Sequence, residues 1–181
     1  LEFRRVLFRS TEEHIIDHTI RRVGRVTDGL AALQAGDHIG LRGPFGRGWP
    51  VQQAQGRDLV IVTGGLGCAP VVSAIEYVLR RYGEFGRVNI VQGVKHADDF
   101  IWRERYDRWA ECPDTKVLIA ADVGSPLWPG HVGLVTELFD QLDFAPTNST
   151  VMMCGPEGMM RAAARDLLAM GVPQRDIWLS M

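Results

Sequence analysis

A glycine-rich turn follows a strongly apolar run of the chain. The turn is Thr63-Gly64-Gly65-Leu66-Gly67-Cys68-Ala69-Pro70, and the run before it is rich in valine and isoleucine. Glycines let the backbone approach an anion closely, and the N–H groups at a helix start attract negative charge. Proline suits a first helical turn, where its missing N–H leaves no bond unmade. The pattern predicts a pyrophosphate-binding turn. A merely tight turn is the alternative, because a proline replaces the last glycine of the dehydrogenase fingerprint.

A second glycine motif follows a later apolar run. It reads Cys154-Gly155-Pro156-Glu157-Gly158-Met159-Met160. Gly155 permits close backbone approach, and Pro156 favours the start of a helix whose N-terminus points at the same edge. A thiol at the end of this strand is positioned to touch a nicotinamide ring. Taken alone, Cys154 is more typical of a small buried side chain.

The residue that follows the next strand bears on the choice of nicotinamide cofactor. NAD enzymes usually place an acidic residue there to bind the ribose 2′-hydroxyl. Here the strand ends in Gly93-Val94-Lys95-His96, and Lys95 favours a 2′-phosphate, hence NADP(H). An ordinary surface charge is the alternative. Asp98 and Asp99 follow, and they suit helix capping equally well.

These motifs lie in a regular alternation of strands and helices. Apolar runs predict five strands, at 58–63, 87–94, 115–122, 149–155 and 175–181. Helical periodicity predicts helices at 69–83, 98–111, 132–142 and 156–171. Such alternation predicts an α/β fold with a doubly wound, parallel, five-stranded sheet. In such sheets ligands bind beyond the carboxyl ends of the strands, where both glycine motifs lie.

The N-terminal region has a different pattern. Alternating apolar and polar residues predict a strand over 14–26, and a turn at Gly36-Asp37 precedes a second strand over 38–42. We interpret residues 11–55 as the remnant of an antiparallel β-barrel, residues 56–181 as the nucleotide-binding domain, and residues 1–10 as non-native sequence. The end at Met181, directly after an apolar run, predicts a chain truncated there.

The two glycine motifs together resemble the paired signature of the ferredoxin–NADP reductase superfamily. The resemblance implies that the first motif holds the cofactor pyrophosphate and that Cys154, the one catalytic candidate, lies beside the nicotinamide. Gly24-Arg25-Val26-Thr27 resembles the G-x-x-S/T element that holds the FAD pyrophosphate in that family. The cofactor-binding residues that we predict are Gly24, Arg25, Val26, Thr27, Thr63, Gly64, Gly65, Gly67, Ala69, Pro70, Lys95, Gly155, Pro156 and Met159.

Within the superfamily, GLRGPFGRGWPV and GVPQRDIWLSM are most similar to gamma (diaphorase) subunits of soluble nickel–iron hydrogenases. The resemblance implies hydride transfer between NAD(P)H and FAD, and onward transfer of electrons to iron–sulfur and catalytic subunits of a redox complex. The family's R-x-Y/F-S/T flavin element is absent, so the FAD site is incomplete, and a [2Fe–2S] cluster is expected only in sequence beyond Met181. The alternatives are a nucleotide-binding module without turnover, an assembly subunit, and an electron-transfer subunit of the dihydroorotate dehydrogenase or sulfite reductase type.

Composition narrows the remaining function classes. A net charge of −2 gives no reason to expect nucleic acid as a partner. Three cysteines without a C-x-x-C pair, and dispersed histidines, predict neither a metal site nor a disulfide framework, and they favour a reducing cytoplasm. No apolar run reaches the ~18 residues of a membrane span.

Overall fold

The structure, a computed structural model, describes residues 8–9, 16–43 and 45–180. Near the N-terminus, β1 (Phe8–Arg9) pairs antiparallel with β2 (Ile16–Asp17). The short helix α1 (Arg25–Ala31) follows. Among these residues no helix is both long and apolar enough to cross a membrane.

A parallel sheet forms the body of the molecule. Its strands are β3 (Asp58–Gly64), β4 (Val88–His96), β5 (Thr115–Val123), β6 (His131–Val132), β7 (Ser149–Cys154) and β8 (Ile177–Ser180). Their order across the sheet is β6-β5-β4-β3-β7-β8, and every neighbouring pair is parallel. The α/β parallel fold is therefore confirmed, but the prediction of five strands is wrong. The sixth strand, β6, has only two residues, too few to leave an apolar run in the sequence.

Helices cover both faces of this sheet. α2 (Cys68–Leu79) and α3 (Arg103–Ala110) pack on one face, and α4 (Glu157–Ala169) packs on the other with a 3₁₀ helix over Val135–Gln141. β3 and β7 are buried at every residue, as central strands covered on both faces must be. β3 and β7 are the middle strands of the sheet, so both glycine motifs lie at the middle of its carboxyl edge.

The N-terminal region departs from the prediction. Of the strand predicted over 14–26, residues 14 and 15 lie outside the described residues, only Ile16–Asp17 is a strand, and residues from Arg25 onward are helical. Residues 38–42 form no strand at all. Alternating sequences form strands only when a neighbouring strand supplies hydrogen bonds, and a two-stranded pairing alone is marginal. Every residue from Ala31 to Gly43 is exposed.

Two helices also differ from their predicted bounds. The helix predicted over 98–111 starts at Arg103, because Trp102 before it has a left-handed backbone with φ of 59°. The segment predicted as a helix over 132–142 is 3₁₀ over Val135–Gln141. Its first residue, Val132, instead belongs to β6.

Charged side chains fasten the amino edge of the sheet, opposite to the glycine motifs. Arg57 Nη1 donates to Asp176 Oδ1 at 2.8 Å, and its Nη2 donates to the Ser149 carbonyl at 2.6 Å. The Asp58 carboxylate accepts from the Arg87 backbone N–H at 2.8 Å and pairs with the Arg87 guanidinium at 3.1 Å. These contacts tie β3, β4, β7 and the start of β8 together at the amino edge of the sheet.

Candidate functional site

The two glycine motifs touch each other at the carboxyl edge of the sheet. β3 and β7 are neighbours, and Thr63 pairs with Cys154 at their ends. A Cβ atom added to Gly67 would overlap the Cys154 carbonyl group and lie 2.9 Å from the Gly155 Cα. Glycine is thus required at residue 67 because one turn packs directly on the other.

Gly64 and Gly155 are required for the same kind of packing. A Cβ on Gly64 would lie 2.5 Å from Met159 Sδ and 2.7 Å from Pro156 Cδ. A Cβ on Gly155 would lie 2.7 Å from Met159 Cε and 2.9 Å from the Gly64 nitrogen. The sequence led us to expect these glycines to make room for a phosphate, whereas in the structure they make room for each other and for Met159.

Gly65 of the first motif faces open space. Its φ is +54°, a left-handed conformation that glycine adopts readily, and no heavy atom lies within 4 Å of its Cβ direction. The 3₁₀ turn Gly65–Gly67 leads directly into α2, and α4 begins at Glu157 beyond Pro156. Two helix N-termini, each with a partial positive charge, therefore follow the ends of adjacent strands at the same edge.

A buried glutamine lies beneath this turn, and sequence analysis missed it. Gln92, on β4, is 2% exposed. Its Nε2 donates to the Gly65 carbonyl at 3.2 Å and to the Gly93 carbonyl at 2.9 Å. Its Oε1 accepts from the Tyr106 hydroxyl at 3.0 Å and contacts the Thr63 hydroxyl. The available signal was one polar side chain in the otherwise apolar run VNIVQGV.

Burial controls the chemistry of the groups around Gln92. Tyr106 is 3% exposed, and burial raises the pKa of its hydroxyl well above the ordinary value, so the hydroxyl remains a donor. Cys68 is the first residue of α2, where a helix dipole favours the thiolate. Burial nevertheless raises the pKa of the Cys68 thiol to about 11. Cys68 is therefore a protonated packing residue at neutral pH.

Cys154 and two further predicted residues of the first motif, Ala69 and Pro70, are also buried or in contact with other parts of the chain. Cys154 is 1% exposed and shares an apolar cluster with Cys68. Ala69 is 3% exposed within α2, and the Pro70 carbonyl accepts a 2.8 Å hydrogen bond from Trp49 Nε1. That bond links the N-terminal region to the first turn of α2.

Comparison with known proteins identifies the family. The sequence profile of the oxidoreductase NAD-binding domain matches residues 61–165. The chain belongs to the oxidoreductase NAD-binding domain family. The matched range contains the turn after β3 and the turn after β7, that is, both halves of the site.

The family's relatives include subunits of larger assemblies. The chain is 32% identical to the sulfhydrogenase 2 gamma subunit of Pyrococcus furiosus, covering 99% of this chain and 66% of that protein. It is 33% identical to a probable electron-transfer subunit of dihydroorotate dehydrogenase B (NAD(+)) from Methanocella arvoryzae, covering 78% and 49%. The ferredoxin NADP+ reductase of Neisseria gonorrhoeae, solved with FAD and NADP, shares the fold with a TM-score of 0.71 and 22% identity, covering 91% and 72%. The chain thus spans about two thirds of the first of these two curated relatives and about half of the second.

The junction of the two turns fits the dinucleotide that the family name implies. No heavy atom lies within 4 Å of the position that a Cβ on Gly65 would occupy. This side of the turn therefore has room for a phosphate group. The N-termini of α2 and α4 suit a doubly charged pyrophosphate better than a neutral ligand. Pro156 and Glu157 are exposed beside this junction, so a ligand can reach it from solvent.

Lys95 is exposed in this NAD-binding domain, near the carboxyl end of β4. Val94 pairs with Ala121 and His96 pairs with Val123, so Lys95 lies beside Asp122 on β5. Asp122 is exposed as well, and sequence analysis did not single it out. The positive charge that we assigned to a 2′-phosphate therefore has a carboxylate next to it.

The segment Gly24–Thr27, which we predicted to hold the FAD pyrophosphate, lies at the start of α1. Thr27 is buried, and its hydroxyl accepts from the backbone N–H groups of Val23 and Gly24 at 2.9 and 3.0 Å. The same hydroxyl donates to the Gly24 carbonyl at 2.9 Å. Arg25 and Val26 are exposed. Thr27 thus serves as a local cap of α1 in this structure.

Histidines and carboxylates do not build a metal centre in the described residues, where no cluster of three or more potential ligands occurs. His131 and Glu137 form an exposed pair, with 2.6 Å between Nε2 and Oε2. The hydrogen bond from His131 lowers the pKa of Glu137. His14 lies outside the described residues.

Proposed function

We propose that this chain binds NAD(P)H at the junction of the turns after β3 and β7. The observation that carries the proposal is the contact of Gly67 with the Cys154–Gly155 backbone, which joins two helix N-termini into one anion-binding edge. The open face of Gly65 would receive the pyrophosphate, and the backbone N–H groups of that turn would bind it. Cys154, at the end of β7, would lie nearest to the nicotinamide end.

The proposed role of the chain is to position a redox cofactor. The bound nicotinamide supplies the hydride, so the protein need only hold the ring in a fixed orientation and exclude water. No proton-transferring side chain is required for this reaction. The protonated Cys68 thiol and the protonated Tyr106 hydroxyl agree with such a role, because neither is poised as a base.

The complete protein, in this proposal, passes the hydride to FAD and the electrons onward to an iron–sulfur partner. Support comes from the relatives, which are named as subunits of sulfhydrogenase and of dihydroorotate dehydrogenase B. A redox complex with iron–sulfur and catalytic subunits is the partner that we propose, and the hydrogenase type is favoured by the coverage of 99% of this chain. The cytoplasm, where thiols stay reduced, is the proposed location.

Nucleotide binding without turnover is the second candidate. The observation that favours it is Thr27, whose single proton is donated to the Gly24 carbonyl rather than offered outward. The exposed stretch from Ala31 to Gly43 likewise provides no enclosed flavin site. The chain itself would then bind the nicotinamide cofactor but leave FAD to sequence outside it.

Equilibrium titration tests the proposal. NADH, NADPH and ADP-ribose are titrated separately into the chain. Nicotinamide fluorescence follows the binding of NADH and NADPH, and calorimetry follows the binding of all three. We expect saturable binding of all three, because all contain the pyrophosphate. Folded protein, verified by circular dichroism, that binds none of them would contradict the proposed function.

A reductase assay separates the two candidates. The chain is mixed with NADPH and free FAD, with ferricyanide as electron acceptor, and compared with the full-length protein under the same conditions. Turnover by the full-length protein alone, with equal nucleotide affinity in both, would assign the chain to binding without turnover. Turnover by both would assign hydride transfer to this chain.

A further inference from the structure

The buried Gln92 amide has a fixed orientation with all its hydrogen-bonding groups engaged. The Gly65 and Gly93 carbonyls can only accept hydrogen bonds, so the amide nitrogen must face them. The amide oxygen then faces two hydroxyls, those of Tyr106 and Thr63. Such saturation removes the freedom of the side chain to rotate, and it ties β3, β4 and α3 to a single atom of the turn, the Gly65 oxygen.

Fixing the Gly65 oxygen also fixes the group opposite to it. Gly65 O accepts from Gln92 Nε2 and from the Cys68 backbone N–H, both on the inner side of the turn. In a trans peptide the C=O and the following N–H point in opposite directions. The Leu66 N–H is therefore aimed away from Gln92.

We propose that Gln92 is a positioning residue for nucleotide binding: with Tyr106 behind it, it holds the Gly65–Leu66 peptide in the orientation that presents its N–H to the pyrophosphate. The inference rests on the proposed function, since it names the residues that pre-organise that site. The Tyr106 hydroxyl donates to Gln92 Oε1 and also interacts with the side chains of Thr63 and Cys68, so it belongs to the same buried hydrogen-bonded unit as Gln92. Without the amide, the glycine turn would lose its fixed conformation, and ordering it again would weaken binding.

The test compares Gln92→Leu with a matched variant on the same strand. Asn89 is 1% exposed, and its amide bonds to the Asp143 backbone at 2.8 and 3.0 Å at the opposite end of β4. Both substitutions remove a buried amide of this strand, but only Gln92 touches the turn. We expect ADP-ribose to bind about tenfold more weakly to Gln92→Leu, as loss of a buried hydrogen bond predicts. We expect Asn89→Leu to lower the melting temperature while leaving the Kd within about twofold of the parent value.

Tyr106→Phe supplies an independent measurement, because a phenyl ring preserves the packing and removes only the hydroxyl. We expect about threefold weaker binding of ADP-ribose. In the double variant Tyr106→Phe/Gln92→Leu we expect no further loss beyond Gln92→Leu alone, because both act through one hydrogen-bonded unit. If Gln92→Leu does not fold, the comparison of ADP-ribose affinity between Tyr106→Phe and Asn89→Leu tests the inference instead.

Three results would overturn the inference. Parent affinity in Gln92→Leu would show that the turn does not depend on the amide. Equal losses of ADP-ribose affinity in the Gln92 and Asn89 variants would assign both losses to general destabilisation. Additive losses of affinity in the double variant would show that Tyr106 does not act together with Gln92. A parent chain that binds no ADP-ribose would instead refute the proposed function, and the inference with it.

Discussion

The backbone of Gly67 lies directly against the carbonyl group of Cys154, with no room between them for a methyl group. Gly67 belongs to the turn after β3, and Cys154 ends β7. The contact holds together the two loops that carry the candidate site. A substitution at a glycine that packs against the other turn should mainly lower stability. A substitution at a glycine that faces open space should mainly weaken binding.

Gly67→Ala should destabilise the fold. The added methyl group would overlap the Cys154 carbonyl, which is backbone and has no room to move, so we expect unfolding to become easier by about 3 kcal/mol. Urea denaturation measures the change. Gly158→Ala is the matched control: Gly158 lies in α4 with nothing within 4 Å, so its substitution should leave stability unchanged or raise it by up to about 1 kcal/mol. Equal stability of the two variants would contradict the packing described for Gly67.

Gly65→Ala should affect binding more than stability. A left-handed alanine costs about 1 kcal/mol, and the methyl group would occupy the open space reserved for the pyrophosphate. We expect the melting temperature to fall by a few degrees and the affinity for ADP-ribose to fall at least tenfold. An unchanged Kd would mean that the ligand does not approach Gly65.

Lys95→Ala should alter the choice between the two nicotinamide cofactors. If Lys95 binds a 2′-phosphate, its removal weakens NADPH binding by roughly three- to tenfold and leaves NADH binding unchanged. Parallel fluorescence titrations with both cofactors measure this ratio. Lys116→Ala, an exposed lysine at the amino end of β5, is the control and should change neither affinity. Equal effects on NADH and NADPH would remove Lys95 from cofactor selection and turn attention to its neighbour Asp122.

Cys154→Ala in the full-length protein should slow hydride transfer while preserving the fold. Stopped-flow reduction of the flavin at saturating NADPH measures the rate. Cys68→Ala is the matched control, because both thiols are 1% exposed and lie in one apolar cluster. We expect both variants to lose about 1 kcal/mol of stability, as removal of a buried sulfur predicts, and only Cys154→Ala to reduce the rate. Equal rates in both would leave Cys154 with a packing role alone.

Acid should weaken the amino edge of the sheet. The hydrogen bond from Arg57 lowers the pKa of Asp176 below its ordinary value. A carboxylate with a lowered folded-state pKa stabilises the fold above its unfolded pKa of about 4, and this contribution is lost as the pH falls through the folded pKa. In Asp176→Asn we therefore expect lower stability than in the parent at pH 7, with the two converging below about pH 4. A constant difference between them from pH 7 to pH 3 would rule out this pair as a source of acid sensitivity.

The sequence predicted the elements of the sheet well because each strand is a continuous apolar run. The run Asp58–Thr63 is β3 to within one residue, and the run 149–155 contains β7. The sequence also placed both glycine motifs at the carboxyl edge, because residues that follow parallel strands all lie at that edge of the sheet. The reason for each glycine could not be predicted, because Gly67 and Cys154 approach each other only after β3 and β7 have paired.

Other features could not be predicted from the sequence, for related reasons. The role of Gln92 depends on Tyr106 and Gly65, which come from two other elements, so only the unexpected polarity of Gln92 was visible. The strands predicted over 14–26 and 38–42 failed because a strand requires a partner, and residues 18–24 and 38–42 pair with no other strand in the described chain. Two-residue β6 was too short to leave a periodic signal.

The pairing of Thr63 with Cys154 also determines when the site can form during synthesis. β3 leaves the ribosome first, and it must wait for two further strand–helix units before its neighbour β7 is made. A nascent chain that stops short of Cys154 would carry the whole first glycine turn yet lack the carbonyl group against which Gly67 packs. Cofactor affinity should therefore appear abruptly, late in translation, and a ribosome stalled within β5 should display a chain that cannot retain the dinucleotide.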